Sequence, residues 1–93
     1  MEKNYDKYYG KIVRIHKVNQ KENVADIIGR VDMTSHLCLS LGYNTYYYNG
    51  DTLPKAVSRI KIAEMGYHIR HNLVSDTGFV NIRNIEKISI LPE

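Results

Sequence analysis

The sequence predicts an α/β fold of the two-layer α+β kind, with the element order β-α-β-α-β-β. Three observations lead to it: an alternating apolar strand near the start, two runs with helical apolar spacing, and two strand-like runs joined by a turn near the end. Strands that alternate with helices and end in a hairpin form a mixed four-stranded sheet with both helices on one face. The other face is left to solvent or to a partner.

The chain of 93 residues is long enough for one domain, predicted over residues 11–93, preceded by an N-terminal arm over residues 1–10. Hydrophobic residues make up 43% and charged residues 25%, as in ordinary globular proteins. The sequence contains no apolar run of membrane-spanning length and no sign of a signal peptide. A single cysteine predicts a reducing, intracellular location, in the nucleus or cytoplasm.

The net positive charge is concentrated in the first 21 residues, which hold six lysines and arginines against two acidic residues, whereas the other 72 residues hold seven against eight. Tyrosines lie among these cations in the arm, where they can stack on bases or fix the arm to the domain. Residues 11–18 read as the first strand, because Val13 and Ile15 alternate with Arg14 and His16. This alternation buries one face and leaves the other cationic.

Residues 22–41 are predicted to form the first helix. Val24, Ile27, Val31 and Leu41 keep helical spacing, and Gly42 supplies a stop. An alternative interpretation pairs residues 11–18 with 24–31 as a hairpin.

The central stretch, residues 45–64, predicts a strand, a glycine turn and a second helix. Three tyrosines end at Asn49-Gly50, and Asp51 or Thr52 can cap the helix that follows. Pro54 is compatible with the first helical turn, and Gly66 ends the helix. Backbone N–H groups at such a junction can bind phosphate, although most glycines in turns only make the turn.

The C-terminal part predicts a closing hairpin. Residues 67–74 alternate, residues 75–78 form a turn, and residues 80–91 form the returning strand with a bulge near Asn84 and Ile85. Arg70 and Arg83 would make this hairpin a second basic arm.

Catalytic motifs are absent from the sequence, which has no Cys-x-x-Cys, His-x-x-x-His or Gly-x-Ser-x-Gly pattern. The sequence therefore predicts no enzyme, no cofactor and no metal site.

The block from Gly50 to Val57, followed by Ile60, Ile62 and Ala63, resembles the Alba superfamily. Arg14-Ile15 with the basic loop and Asn23 resembles the family's first strand and binding loop. Residues 80–90 resemble its last strand, as found in the small Alba-type subunits of ribonuclease P and ribonuclease MRP. The resemblance implies a homodimer, or a heterodimer with a related Alba-like chain, that binds nucleic acid without catalysis. The chain departs from the family pattern at the acidic Asp51, in a basic loop with fewer lysines and in a longer first helix.

We expect contacts with RNA, or with duplex DNA, through basic loops and mainly to the phosphate backbone. Within this class the protein is either a ribonucleoprotein subunit or a DNA-coating chromatin protein, and the tyrosines favour RNA. A protein–protein adaptor that has lost nucleic-acid binding is the alternative from another class. The predicted nucleic-acid-binding residues are Lys17, Gln20, Lys21, Asn23, Gly50, Lys55, Arg59, Arg70 and Arg83.

Overall fold

The structure, a computed structural model, describes residues 4–47, 52–66 and 78–93. The elements in these ranges are β1 (Ile12–Lys17), β2 (Asp26–Thr34), β3 (Cys38–Tyr47), α1 (Leu53–Glu64), β4 (Gly78–Asn81) and β5 (Ile85–Ile90). Among the described residues α1 is the single α-helix, and short 3₁₀ turns lie at Asp6–Tyr8 and Ile82–Asn84. Every strand pair described is antiparallel, and the strand order is β4-β3-β2-β1-β5.

The predicted fold class is wrong. Residues 22–41 contain all of β2 and the start of β3 instead of a first helix, so the chain is a small α+β fold with a mostly antiparallel five-stranded sheet. The β-α-β-α-β-β order predicted from the sequence pattern is wrong with it. The alternative hairpin is present, because β1 pairs with β2 with Ile15 opposite Ile27.

Burial on both faces of the sheet explains the misread periodicity. Ile27 and Val31 face one core cluster, whereas Ile28 faces a second cluster under α1. A strand buried on both sides loses the simple alternation of apolar and polar residues. Register shifts near Gly29 and Val31 disturb the period further. Apolar residues therefore recur at intervals that also fit a helix.

Helix α1 forms as predicted from its local signals. The Thr52 hydroxyl accepts a hydrogen bond from the Lys55 N–H at 3.3 Å, and Pro54 lies in the first turn. Ala56, Val57 and Ile60 form its buried face, which packs on β2 and β3. Gly66, at φ +89°, follows the helix end. In the described ranges no helix is long and apolar enough to cross a membrane.

The predicted returning strand over residues 80–91 is not one strand. The 3₁₀ turn at Ile82–Asn84 divides it into β4 and β5, which lie at opposite ends of the sheet order. The Asn81 side chain accepts from the Arg83 N–H at 3.2 Å and so caps that turn. The irregular spacing near Asn84 and Ile85, which predicted a bulge, marks the point where the chain passes from one terminal strand of the sheet to the other. The predicted strand over residues 67–74 lies outside the described residues, as does the predicted turn over residues 75–78 except for Gly78, which begins β4.

The N-terminal 3₁₀ turn packs against the domain. Tyr5 is buried in the first core cluster, and Tyr8 packs beside it. The Thr34 hydroxyl donates to the Asp6 carboxylate at 2.7 Å, which joins this turn to β2.

Arg30 joins the chain's two ends to α1. Its guanidinium donates to the Gly10 carbonyl at 2.8 Å, to Glu64 at 3.1 Å and to Glu93 at 2.7 Å. The hydrogen bond to Glu64, and to a smaller extent the one to Glu93, raises the pKa of Arg30. The hydrogen bond from Arg30 in turn lowers the pKa of Glu93. One planar fork therefore connects three separate segments.

We expect Arg30→Lys to lower the free energy of unfolding by about 1–2 kcal/mol, because an ammonium cannot reproduce the fork to two carboxylates and a carbonyl. Urea unfolding at neutral pH measures the change. The matched control is Arg83→Lys on the exposed second 3₁₀ turn, which should change stability by less than about 0.5 kcal/mol. Equal effects of the two substitutions would contradict the role given to the Arg30 fork.

Candidate functional site

A row of four side chains crosses the sheet on the face that α1 partly covers. Lys87 lies opposite His16 in the β5–β1 pair, and Asp26 lies opposite Tyr47 in the β2–β3 pair. His16 Nδ1 and Asp26 Oδ1 are 2.7 Å apart, which connects the two halves. The row therefore runs Lys87, His16, Asp26, Tyr47 from β5 to β3.

Asp26 is the centre of this site. Its carboxylate accepts from Arg14 Nε and from Gln20 Nε2, each at 2.7 Å, in addition to the contact with His16. The Asp26 side chain is only 12% exposed, whereas Arg14 and His16 are about one third exposed. A shielded carboxylate thus holds two partly exposed basic side chains in fixed positions.

The environment keeps Asp26 ionised. Burial alone raises the pKa of Asp26, but hydrogen bonds from His16, Arg14 and Gln20 together outweigh burial and lower the pKa below its usual value. The carboxylate therefore stays negative at neutral pH and neutralises one of its basic neighbours.

Arg14 also stacks on an aromatic ring. Its guanidinium carbon lies 4.6 Å from the centroid of the Tyr47 ring, within the range of a cation–π contact. Two hollows adjoin Arg14. One of about 380 Å³ lies toward the β1–β2 loop and is also lined by Tyr47, and one of about 320 Å³ lies toward Lys87 and Ser89. The Arg14–Tyr47 stack thus opens onto the larger hollow, and Arg14 also borders the smaller one.

The β1–β2 loop and the second 3₁₀ turn lie together at the end of β1. The Val18 N–H donates to the Asn84 carbonyl at 2.7 Å, and Lys17 is registered with Ile85. We call the exposed cations of this region the basic end. The basic end consists of Lys17, Lys21, Arg83 and Lys87.

Three of the predicted binding residues, Lys17, Lys21 and Arg83, therefore lie on the two segments that this hydrogen bond joins, although the sequence placed Arg83 on a separate hairpin arm. Asn23 is exposed in the same loop and lines the larger of the two hollows near Asp26. The Gln20 side chain stabilises the loop itself. Its Oε1 accepts from the Lys17 N–H and its Nε2 donates to the Val24 carbonyl, each at 3.0 Å.

The other predicted residues lie elsewhere. Lys55 is exposed in the first turn of α1, and Arg59 is half-buried one turn later. The first turn is near the row, because Leu53 and Tyr47 pack against the same core cluster. Gly50 and Arg70 lie outside the described residues, so the predicted phosphate site at the glycine turn and the hairpin cation have no structural account.

Asp26 and His16 form the kind of pair that orients a general base in many hydrolases. In the described part of the chain, the charged partner nearest to the other ring nitrogen, His16 Nε2, is the Glu86 carboxylate at 3.9 Å, which is not a nucleophile of the serine or cysteine type. The described residues also contain no group of three or more His, Cys, Asp or Glu side chains placed to hold a metal ion. The arrangement is suited to binding through cations and a planar stack.

Sequence reasoning missed Asp26, His16 and Tyr47 as members of one site. The alternation of Arg14 and His16 on β1 predicted a cationic face, but Asp26 was assigned to a helix. The signal that could have found it was the alternative hairpin, which places Asp26 beside His16.

No protein-family model, curated protein or solved structure matches this chain.

Proposed function

We propose that this protein binds RNA through the phosphate backbone, using the basic end, with the Arg14–Tyr47 stack as a surface for a neighbouring base. The supporting observation is the hydrogen bond from Val18 to Asn84, which brings cations from both halves of the chain to one place. Lysine and arginine attract phosphate through their charge, so the affinity for a phosphate backbone depends on how many of these cations can reach it at once.

The local charge supports a polyanionic ligand. The basic end has four exposed cations, and the carboxylates of Glu22 and Glu86 are the neighbouring negative charges. Asp26 contributes little net charge to this surface because Arg14 pairs with it. The region therefore keeps a positive excess on a chain with a total charge of only +3.

The aromatic surface favours RNA over duplex DNA. Unpaired bases stack on aromatic rings and on arginine planes, and such bases are common in RNA loops and single strands. The partly exposed Tyr47 is the aromatic ring available at this stack, because Tyr46, opposite Ile27, points to the other face of the sheet. A duplex would offer phosphates to the lysines but no free base face to the Tyr47 ring.

The double variant Lys17→Glu/Lys21→Glu should weaken binding to a fluorescein-labelled oligouridine by about tenfold or more. It should also reduce the slope of log K against log salt by about two, since each phosphate contact releases condensed counterions. Fluorescence anisotropy at several salt concentrations gives both quantities, and a DNA duplex of equal charge tests the preference for RNA.

The matched control is Lys11→Glu/Lys61→Glu, which reverses two cations near Glu93, at the other end of β1. It should leave affinity within about twofold of the original protein, apart from long-range charge effects. Equal losses in both double variants would mean non-specific attraction, and no binding of either nucleic acid would overturn the proposal.

The proposal includes an intracellular role without catalytic activity, in the nucleus or cytoplasm. A homodimer or a heterodimer with a related chain stays a prediction. Size-exclusion chromatography with light scattering, with and without RNA, measures the stoichiometry.

A further inference from the structure

A second open groove lies between the N-terminal turn and β5, away from the Asp26 side chain. Its volume is about 650 Å³, which is in the usual range of ligand-binding sites. One wall comes from the N-terminal turn and the other from the strand. The lining residues are Asn4, Tyr5, Lys7, Tyr8, Glu86, Lys87, Ile88 and Ser89.

The groove follows the edge of β5. Four consecutive residues of the strand line it, from Glu86 to Ser89, although successive side chains point to opposite faces, so the groove reaches the strand's edge. In the sheet formed by the described residues β5 is a terminal strand, with β1 on one side. The open side of β5 therefore borders the groove.

The register shows which backbone groups face this open side. The Leu91 N–H donates to the Ile12 carbonyl at 2.9 Å, which makes these two residues a hydrogen-bonded pair. Such pairs alternate along an antiparallel ladder, so Ser89 and Lys87 also direct their backbone groups to β1. The N–H and C=O groups of Ile88 and Ile90 consequently point away from β1, toward an added strand.

The side chains along the groove alternate in chemistry. Ile88 packs against the first core cluster beside Tyr8, whereas Lys87 lies on the opposite face with Arg14 and His16. The Lys7 ammonium lies 5.2 Å from the centre of the Tyr8 ring and adds a second positive charge to the wall. Glu86 is the one carboxylate among the lining residues.

We propose that this groove binds an extended peptide segment of a partner protein, which adds a strand to β5. Apolar side chains of that segment lie beside Ile88 and Tyr8, and alternating acidic side chains lie beside Lys87 on the other face. Main-chain hydrogen bonds to Ile88 and Ile90 provide affinity, and the alternation provides specificity.

The test titrates the full chain, labelled with ¹⁵N, with a capped peptide of alternating valine and aspartate. We expect a Kd on the order of 100 µM, typical of a weak transient contact, and slowed hydrogen exchange at the Ile88 and Ile90 amides. Two control peptides replace aspartate with lysine or place proline at the centre, and each should bind at least about tenfold more weakly.

Matched protein variants locate the site. Tyr8→Ala removes an apolar wall, and Lys7→Glu puts a negative charge on that wall opposite an acidic peptide, so each should weaken peptide binding by about fivefold or more. Tyr9→Ala, at the next and 62% exposed position, should not. If Tyr8→Ala unfolds the protein, Lys7→Glu, a substitution on the exposed surface, still tests whether the peptide binds in this groove. Lys17→Glu/Lys21→Glu should leave peptide binding unchanged, which separates this site from the proposed RNA surface.

Several results would overturn the proposal. One is no binding of the valine–aspartate peptide up to about 1 mM, well above the expected Kd. A second is that the peptide with a central proline binds as tightly as the valine–aspartate peptide. A third is that hydrogen exchange at the β5 amides stays unchanged when the peptide binds. A fourth is that oligouridine binds in the groove, shown by a loss of its affinity in Lys7→Glu.

Discussion

Replacing Gly29 with alanine is expected to lower the free energy of unfolding by about 3 kcal/mol, because the added methyl group has no space. A Cβ atom at this position would lie 2.6 Å from the Tyr43 carbonyl oxygen and 3.1 Å from side-chain atoms of Leu41 and Asn44. The nearest atom belongs to the backbone, so relief requires β3 to move away from β2. The two strands are registered at Gly29 and Asn44, beside a register shift.

The opposing effect is smaller. Alanine restricts the unfolded chain more than glycine does, which favours folding by about 0.4–1 kcal/mol where the native conformation permits it. The clash exceeds this gain. In a domain of this length the net loss should lower Tm by about 10–25 °C.

Gly42→Ala is the matched control, on the strand that faces Gly29. Its Cβ would meet the Asp32 carboxylate at 3.1 Å, but this is the far end of an exposed side chain, which can rotate away. We expect a change of less than about 1 kcal/mol. Thermal and urea unfolding of both variants, followed by circular dichroism, tests the contrast. Similar stabilities would show that β2 and β3 do not approach as closely as described.

The contrast between α1 and β2 shows what local sequence can predict. Helix α1 has a threonine cap, a proline in its first turn and one apolar face, and all three signals lie within a few residues of one another. β2 depends on partners far along the chain. Its second face is covered by α1, about thirty positions later, so no local pattern indicates that Ile28 is buried there.

The candidate site has the same limit. Lys17 and Lys21 lie on a loop and Arg83 on a 3₁₀ turn, which the sequence assigned to a separate arm. The hydrogen bond that joins these two segments connects residues 18 and 84. The Asp26 contacts depend on the β1–β2 register, because a one-residue slip would turn the Asp26 side chain to the other face of the sheet. Composition and charge suggested a polyanionic ligand, whereas the position of the proposed binding surface depends on the sheet topology.

Asp26→Asn is expected to lower the free energy of unfolding at neutral pH by about 2 kcal/mol. The carboxylate accepts from Arg14 on one oxygen, and from Gln20 beside His16 on the other. An asparagine amide has one acceptor oxygen and one donor nitrogen, so one of these contacts becomes donor against donor. The Asp26 side chain itself is only 12% exposed, so solvent does not fully compensate for the displaced partner.

The size of this loss should depend on pH in a definite direction. The pKa of Asp26 is lower in the folded protein than in the unfolded chain, so its stabilising contribution is complete above about pH 4, the ordinary aspartate value. The contribution disappears as pH falls through the lower folded value, where the folded carboxylate is protonated. The difference between the original protein and Asp26→Asn should therefore shrink on acidification.

Urea unfolding of both proteins between about pH 7 and pH 2 measures this difference, and the comparison cancels the acid sensitivity of Glu93, which both proteins retain. Asp32→Asn, an exposed substitution on the same strand, is the control and should change stability little at any pH. A loss in Asp26→Asn that stays constant with pH would mean that shape and packing, not charge, stabilise the site. A shrinking difference would establish that the ionised Asp26 holds Arg14 and His16 in place, and with them the planar surface proposed to receive a base.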